Sequence, residues 1–380
     1  VSYVAGLAAT AQNGVLIKGG ACLEALGNVS MVFFDKTGTL TQGDFSLRHL
    51  EVMSKHYSRV QVLQYLSLME ERASHPLAQA LVNGAKNEGV KVPSTMFVHD
   101  HTFLPGEGIS GVIDGLRVFV GNERLFSRLG LLQSLPRDKQ QAIKAWEVEG
   151  GTVGFMSIGE EGLVCLYCIT DAVRPESKQV LHDFSCMGIE VAMLTGDKRV
   201  TAVAIGESIG LSQEQIKSEL LPEEKLSILM HAKAQAFQQR HSCHFLPAKN
   251  MVLMCGDGVN DAPSLAASDV GVAMGAGAAL AMETADVTLM DCNLSKLCYS
   301  IKMGKRVIHK IKQNVTFSLI VKFVVLGFAL AGKASLWGAI ASDVGAMILV
   351  TLNGMSLLPL GRKKMQNSDL EETRSASTEV

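Results

Sequence analysis

The stretch Val29-Ser-Met-Val-Phe-Phe-Asp35-Lys-Thr-Gly-Thr-Leu-Thr41 decides the fold. Val29–Phe34 is a short, largely apolar run, which reads as a buried strand. It ends directly on a carboxylate and a polar turn containing glycine. The same pattern returns twice. Val191–Leu194 runs into Thr195-Gly196-Asp197, and Met251–Cys255 runs into Gly256-Asp257-Gly258. Helix-like stretches such as Val200–Ile209 and Pro222–Ala234 lie between them. This alternation predicts an α/β fold with a doubly wound parallel sheet. Ligands of such sheets bind beyond the carboxyl ends of the strands, where all three polar turns fall.

A long excursion, roughly Phe45 to Val164, separates the first strand from the rest. It has helical stretches of its own (Val60–Glu71, His75–Asn87) and strand candidates (Ser110–Ile113, Leu116–Val120). A segment of that length is a domain rather than a loop. The expected division is a sheet domain in two parts, 29–46 and 165–298, with an inserted α+β domain at 47–164. Residues 1–28 precede it as the end of a membrane helix and a connector.

Two apolar runs close the chain. Val315–Gly332 is interrupted by Thr316, Ser318 and Lys322, and Leu336–Leu360 by Asp343 and Asn353. Each is long enough for a spanning helix of about 20 residues. Only Lys333, Ala334 and Ser335 separate them, which predicts a hairpin across 313–360. A basic linker, 299–312, leads into it with Lys305, Arg306, Lys310 and Lys312; Arg362, Lys363 and Lys364 follow it. The positive-inside tendency places both outer ends, and the catalytic domains, on the cytosolic side. The tail, 361–380, is polar and is expected to be disordered.

Composition agrees with a soluble body joined to a membrane part: 47% of residues are hydrophobic and 19% charged, with mean hydropathy +0.22. The net charge of −2 gives no reason to expect a nucleic-acid partner. Eight cysteines are scattered along the chain, unlike a small disulfide scaffold, and point to a reducing compartment. Cys165 and Cys168, three apart on a strand, would face opposite sides. His241, Cys243 and His244 lie in a polar, irregular stretch, Gln235–Asn250, and read as a solvated connection rather than a metal site.

The chemistry follows from the three turns. A carboxylate at a strand end, facing backbone amides, suits nucleophilic attack on a phosphorus atom to give an acyl phosphate. The charge on the transferring group then needs fixed donors and a metal. Thr195 and Gly196 offer a hydroxyl and an amide. Asp257 offers an oxygen to Mg²⁺, a hard cation. Lys225 can bring an ammonium, and Asn260 and Asp261 can order the surroundings.

Asp35–Thr41 (DKTGTLT), Thr195–Asp197 (TGD) and Gly256–Pro263 (GDGVNDAP) resemble the signature set of the P-type ATPases of the haloacid dehalogenase superfamily. The resemblance runs from Gly6 to about Leu360, with Asp171 and Arg174-Pro175 fitting the return from the insertion. It implies that Asp35 is the phosphorylated residue, that Lys36 and Asp197 belong to the same site, and that Asp35, Asp257 and the Thr37 carbonyl bind Mg²⁺. Phosphatases of the superfamily carry a second aspartate two residues after the nucleophile. Here that position is Thr37, which implies an acyl phosphate that persists.

Ser74-His75-Pro76-Leu77-Ala78 is similar to the HP motif of the heavy-metal P-type ATPases. That likeness implies ATP contacts from Glu70, His75, Gly106, Gly108 and Asn122, Glu70 being weighed against adjacent Glu71. Lys322 in the first apolar helix and Asp343-Val-Gly345 in the second resemble the zinc/cadmium/lead subgroup. There the aspartate implies a ligand for the transported divalent cation and the lysine its counter-charge; the two are expected to pair. The Cys-Pro-Cys helix and the Thr-Gly-Glu actuator of a complete pump do not occur in the sequence, which starts without methionine. The chain therefore reads as a catalytic fragment, whose partners would be the bilayer and the upstream membrane helices and actuator of a full pump. Alone it is expected to bind ATP without pumping. The competing readings are a phosphatase of the superfamily and a non-catalytic derivative of a pump.

Overall fold

The computed structural model describes residues 1–73, 76–133, 135–242, 250–257, 261–275, 283–331 and 335–358. The chain opens with helix α1 (Ser2–Gln12), strand β1 (Val15–Ile17), helix α2 (Gly20–Gly27) and strand β2 (Val29–Asp35). It then leaves on a long strand, β3 (Thr41–Val52), into α3 (Arg59–Glu70), α4 (Pro76–Asn87), β4 (Val98–Leu104), β5 (Gly108–Ile113), β6 (Leu116–Gly121), α5 (Glu123–Arg128), α6 (Arg137–Val148) and β7 (Thr152–Ile158). Strand β8 (Leu163–Val173) brings it back. Next come α7 (Ser177–Cys186), β9 (Glu190–Leu194), α8 (Arg199–Ser208), β10 (Ile216–Lys217), α9 (Pro222–Ser242), β11 (Met251–Gly256), α10 (Ala262–Ala267), β12 (Val270–Met274) and β13 (Val287–Leu289). Two long helices follow, α11 (Ser295–Leu330) and α12 (Leu336–Met355).

The first sheet has the order β1-β13-β12-β11-β2-β9-β10. All of its pairs are parallel except β1 with β13. Strand β2 shows why it must be covered on both sides. Phe33 and Phe34 are adjacent and both fully buried, yet they belong to separate core clusters. Alternate side chains of a strand point to opposite faces, so helices pack on each. Burying each ring stabilises the sheet by about 1.5–3 kcal/mol.

The second sheet is antiparallel, in the order β3-β8-β7-β6-β5-β4. Strands β3 and β8 pair from Thr41↔Val173 to Val52↔Cys165, so this sheet reaches beyond the expected limits of 47 and 164 toward Asp35. Helices α3 and α4 cover one face. Helix α3 starts where Ser58 Oγ accepts from Gln61 N–H and the Gln61 side chain accepts from Ser58 N–H, a reciprocal cap. Cys165 packs in the cluster under α3 and α4, and Cys168 in the one containing Trp146. The two thiols do face opposite sides, and burial pushes Cys168 up to about 12.

Two expectations need correction. The polar stretch from Gln235 is helical as far as Ser242, continuing α9; Cys243 and His244 lie outside the described residues. The basic segment 299–312 is not a linker but the middle of α11, which runs unbroken for 36 residues, about 54 Å at the helical rise. Its first half packs on the parallel sheet, and Gly304 meets Gly27 of α2 so closely that a Cβ on Gly27 would lie 2.6 Å from the Gly304 carbonyl carbon. Its second half and α12 are long and apolar enough to cross a membrane. Polar bonds tie these two helices together: Lys310 Nζ donates to Asn353 Oδ1 at 2.7 Å, Asn353 Nδ2 to Asn314 Oδ1 at 2.8 Å, and Asn314 Nδ2 to the Val350 carbonyl at 3.3 Å.

Candidate active site

Strands β11, β2 and β9 are consecutive neighbours in the parallel sheet. Asp35 stands opposite Leu194 and Phe34 opposite Cys255, so the three motif turns leave the sheet side by side. Asp35 is 7% exposed. Lys225, near the start of α9, reaches over it: Nζ lies 2.6 Å from Asp35 Oδ1 and 3.0 Å from Asp261 Oδ1. Burial, with help from the Asp261 and Asp257 carboxylates, pushes Asp35 up to about 7 against the pull of Lys225. Burial works against the charge on Lys225, but the two carboxylates outweigh it and hold that pKa above its ordinary value.

The loop after Asp35 is shaped by glycine and by long-range clamps. Gly38 has φ +72°, a left-handed conformation that glycine tolerates. A Cβ there would lie 3.1 Å from Asp257 Cβ and 3.2 Å from its Oδ2, so the loop brings Asp257 close. Lys36, next to Asp35, forms a 2.5 Å ion pair with Asp197 and is almost fully buried. Thr195 Oγ1 accepts from Asp197 N–H at 3.1 Å, which closes the second turn. Asp261 stands at the position before α10 without a capping hydrogen bond from its side chain, which instead accepts from Lys225. Asn260 lies outside the described residues.

Three residues in this site carried no assigned role in the sequence reading. Arg174 donates from Nε to the Thr39 carbonyl at 2.8 Å and from Nη2 to the Gly38 carbonyl at 2.9 Å. Asp171 accepts from Thr41 Oγ1 and from Gly43 N–H. Ser177 Oγ donates to the Leu40 carbonyl at 2.8 Å. These contacts join positions more than a hundred residues apart, which no local pattern announces. The available signal was a set of polar residues at the end of β8 and just past it. Thr39 also belongs here: its Oγ1 is buried with no hydrogen-bond partner among the described residues. Such an orphan costs about 1–3 kcal/mol unless a ligand oxygen meets it.

In the inserted domain, Asn122 caps α5, its Oδ1 accepting from Arg124 and Leu125 N–H, while its Nδ2 donates to the Gly106 carbonyl at 2.9 Å. Asn122 therefore holds the glycine turn. Gly108, at φ +150°, presses so close to β6 that a Cβ would lie 2.2 Å from the Val120 carbonyl oxygen. Glu70 is half-buried and Glu71 exposed; burial pushes Glu70 up to about 7. The end of α3 lies against β4, with His101 Nε2 3.0 Å from the Met69 carbonyl. His75 lies outside the described residues.

The two domains meet at the second motif. Lys198, directly after Asp197, places Nζ 2.6 Å from Glu123 Oε2 and 3.0 Å from Glu147 Oε1 of the inserted domain. Beside this contact a cavity of about 750 Å³ is lined by Asn122, Arg124 and Gly151 from one domain and Asp197, Lys198 and Thr201 from the other.

In the hairpin of the two apolar helices the expected Lys322–Asp343 ion pair is not found among the described residues, and both side chains are exposed. Counting on from Lys310–Asn353 and Asn314–Val350 puts the two residues at one level. At 100° per residue, however, Lys322 falls roughly a quarter turn from the face of α11 that touches α12. The pair is matched in depth but not in direction.

A family model of haloacid dehalogenase-like hydrolases matches residues 29–269. The chain is 38% identical over 361 residues to a probable cadmium-transporting ATPase of Alkalihalophilus pseudofirmus, covering 94% of this chain and 47% of that protein. It is 36% identical over 379 residues to the cadmium/zinc-transporting ATPase HMA2 of Arabidopsis thaliana, covering 99% of this chain and 37% of the relative. Among solved structures it matches a zinc-transporting PIB-type ATPase in the E2.Pi state, with TM-score 0.73 and 33% identity over 94% of this chain and 54% of that one. The chain thus spans less than half the length of these curated relatives.

Proposed function

The chain belongs to the haloacid dehalogenase-like hydrolase family and, within it, to the P-type ATPases, and from that premise we propose that it carries the phosphorylation machinery of a pump for a divalent cation of the zinc or cadmium class. Asp35 is the nucleophile. Its carboxylate attacks the γ-phosphorus of ATP, ADP leaves, and an aspartyl phosphate remains. The observation that carries this reading is the Lys225 ammonium bridging Asp35 and Asp261 at the mouth of the sheet. That cation keeps a buried carboxylate available for attack and then faces the phosphoryl oxygens. The hydroxyl of Thr195, just past the end of the neighbouring strand, and the buried Thr39 hydroxyl offer further donors.

Magnesium fits this site. The donors are carboxylate and carbonyl oxygens, the set a hard cation prefers. The Asp257 carboxylate adds to the cost of ionising Asp35, which a bound cation would relieve. Asp35, Asp257 and the Thr37 carbonyl would hold it, and it would neutralise charge on the transferring phosphoryl group. ATP is the phosphoryl donor, with Glu70, His75, Gly106, Gly108 and Asn122 proposed around the adenine. The cavity shared by Asn122 and Asp197 supports a path from that domain to the phosphorylation site.

Thr37 favours a pump over a phosphatase, because no carboxylate stands two residues after Asp35 to activate water. For the cargo, Asp343 supplies a carboxylate at mid-span and Lys322 a cation at the same depth. A carboxylate suits a divalent ion better than a monovalent soft one. The catalytic domains are proposed to face the cytosol, and the actuator and further membrane helices of a complete pump are the proposed partners. The test is ATP hydrolysis by the whole protein with Zn²⁺, Cd²⁺ or Cu⁺. Stimulation by the divalent ions and its loss in Asp343→Asn are expected; stimulation by Cu⁺ alone refutes the cargo assignment.

A further inference from the structure

Helix α11 contains no Asp or Glu from Ser295 to Leu330. Of the cations on its first half, Lys296 is paired with Asp291 and Lys302 with Asp183. The next turns carry Lys305, Arg306, His309, Lys310 and Lys312, immediately before the apolar span that starts at Val315. Arg306, His309 and Lys312 are exposed. Two cavities open on this belt, each of about 520 Å³. One runs between Lys305, Arg306 and Lys310 and the end of α12 at Ser356 and Leu357. The other descends past Lys312, Gln313 and Thr316 to Phe317 and Ile320. His309 lines both, so they adjoin, and no acidic residue lines either among the described residues.

We propose that this groove binds the headgroup of an anionic phospholipid, with the phosphodiester at Arg306 and Lys312 and an acyl chain against Phe317 and Ile320. The chemistry is divided as an amphiphile is divided. Above Thr316 the walls are cationic and polar; below it they are apolar and lie in the stretch that crosses the bilayer. A free phosphate or a soluble protein would use the upper half and leave the apolar wall without a partner. Arg306 offers a planar fork suited to a phosphodiester. Lys310, tied to Asn353 of α12, links the groove to the crossing of the two membrane helices. A bound lipid would therefore bear on the hairpin that holds Asp343. The inference rests on the membrane placement of α11 and α12 and needs nothing from the phosphorylation chemistry.

The test uses the full chain in nanodiscs of phosphatidylcholine with a minor share of phosphatidylglycerol, followed by native mass spectrometry of the lipid retained on release. This readout requires neither ATP nor transport. Preferential retention of phosphatidylglycerol is expected. Each membrane-surface cation contributes roughly a factor of five in affinity for anionic lipid, so R306Q/K312Q should weaken retention about 25-fold. The control is K296Q/K302Q, which removes the same charge from the same helix at residues already ion-paired, and it should leave retention unchanged. Equal retention of the two lipids, or equal loss in both double variants, overturns the proposal. Displacement of the lipid by inorganic phosphate at matched concentration also overturns it, by assigning the site to the anion alone.

Discussion

Lys225 Nζ sits 2.6 Å from Asp35 Oδ1, although 190 positions separate the two residues. The ammonium also reaches Asp261, so one cation serves two buried carboxylates. Removing it leaves like charges facing each other in a site shielded from water, and the carboxylate of Asp35 must then take up a proton to remain buried.

The first prediction is a pH profile. In the metal-free site burial and the Asp261 and Asp257 carboxylates push Asp35 up to about 7, above its ordinary value of 3.8, and only the ionised form attacks phosphorus. At limiting Mg²⁺, phosphorylation from ATP should therefore rise toward pH 7 and level off above it, and saturating Mg²⁺ should move the rise to lower pH. Lys225→Met should move that rise to higher pH and lower the rate at neutral pH by about 10²–10³-fold, in the range lost with one electrostatic donor. Rapid-quench labelling across pH 5.5–9 measures both; an unshifted profile in the variant contradicts the role given to Lys225. The same titration has a sign for stability. The folded state holds its proton between about 3.8 and 7 while the unfolded chain releases it, so Asp35 lowers stability as pH rises through that window. Asp35→Asn should reduce this dependence, seen as a melting temperature that falls less steeply with pH there, the remainder coming from Glu70, which burial also pushes up to about 7.

Arg174 is predicted to matter without touching the phosphoryl group. Its guanidinium holds the Gly38 and Thr39 carbonyls. Losing two charge-assisted bonds should cost about 2–4 kcal/mol. Arg174→Met should thus lower stability and slow phosphorylation, whereas Arg174→Lys, which restores one bond, should recover part of each. Urea unfolding monitored alongside label formation separates the two effects.

Gly38→Ala tests how the loop meets Asp257. The left-handed backbone costs about 1–2 kcal/mol for a residue with a Cβ, and that Cβ would press on Asp257. The variant should need more Mg²⁺ for half-maximal labelling. An unchanged Mg²⁺ dependence would remove Asp257 from the proposed metal site.

Thr37→Asp should convert persistence into turnover. A carboxylate two residues after Asp35 can take a proton from water attacking the acyl phosphate. The label formed from ATP should decay at least tenfold faster than in the parent chain, within the usual range for general-base assistance. Chase experiments after removal of ATP measure the decay.

Much of this was readable in the sequence because the relevant signals are local. Val29–Phe34, Val191–Leu194 and Met251–Cys255 are short apolar runs ending in polar turns, and a parallel sheet has to bring such ends to one edge. Asp35, Thr195 and Asp257 followed from that rule. The clamp of Asp171, Arg174 and Ser177 did not, because its partners are backbone groups and the Thr41 hydroxyl, more than a hundred positions away, and only folding identifies them. The continuity of α11 was hidden by its basic turns, which read as a linker. The absence of proline from Ser295 to Leu330 was the overlooked sign of one helix. The direction of Lys322 depends on which face of α11 meets α12, and that is fixed by the bonds of Lys310 and Asn314 rather than by composition.

The central claim is that Asp35 receives the γ-phosphoryl group of ATP. Its most direct measurement is the acid-stable, hydroxylamine-labile ³²P label formed from γ-labelled ATP and Mg²⁺, compared between the parent chain and Asp35→Asn. The account predicts a label in the parent and none in the variant. A label that survives the substitution would contradict it, because the phosphoryl group would then reside on another side chain.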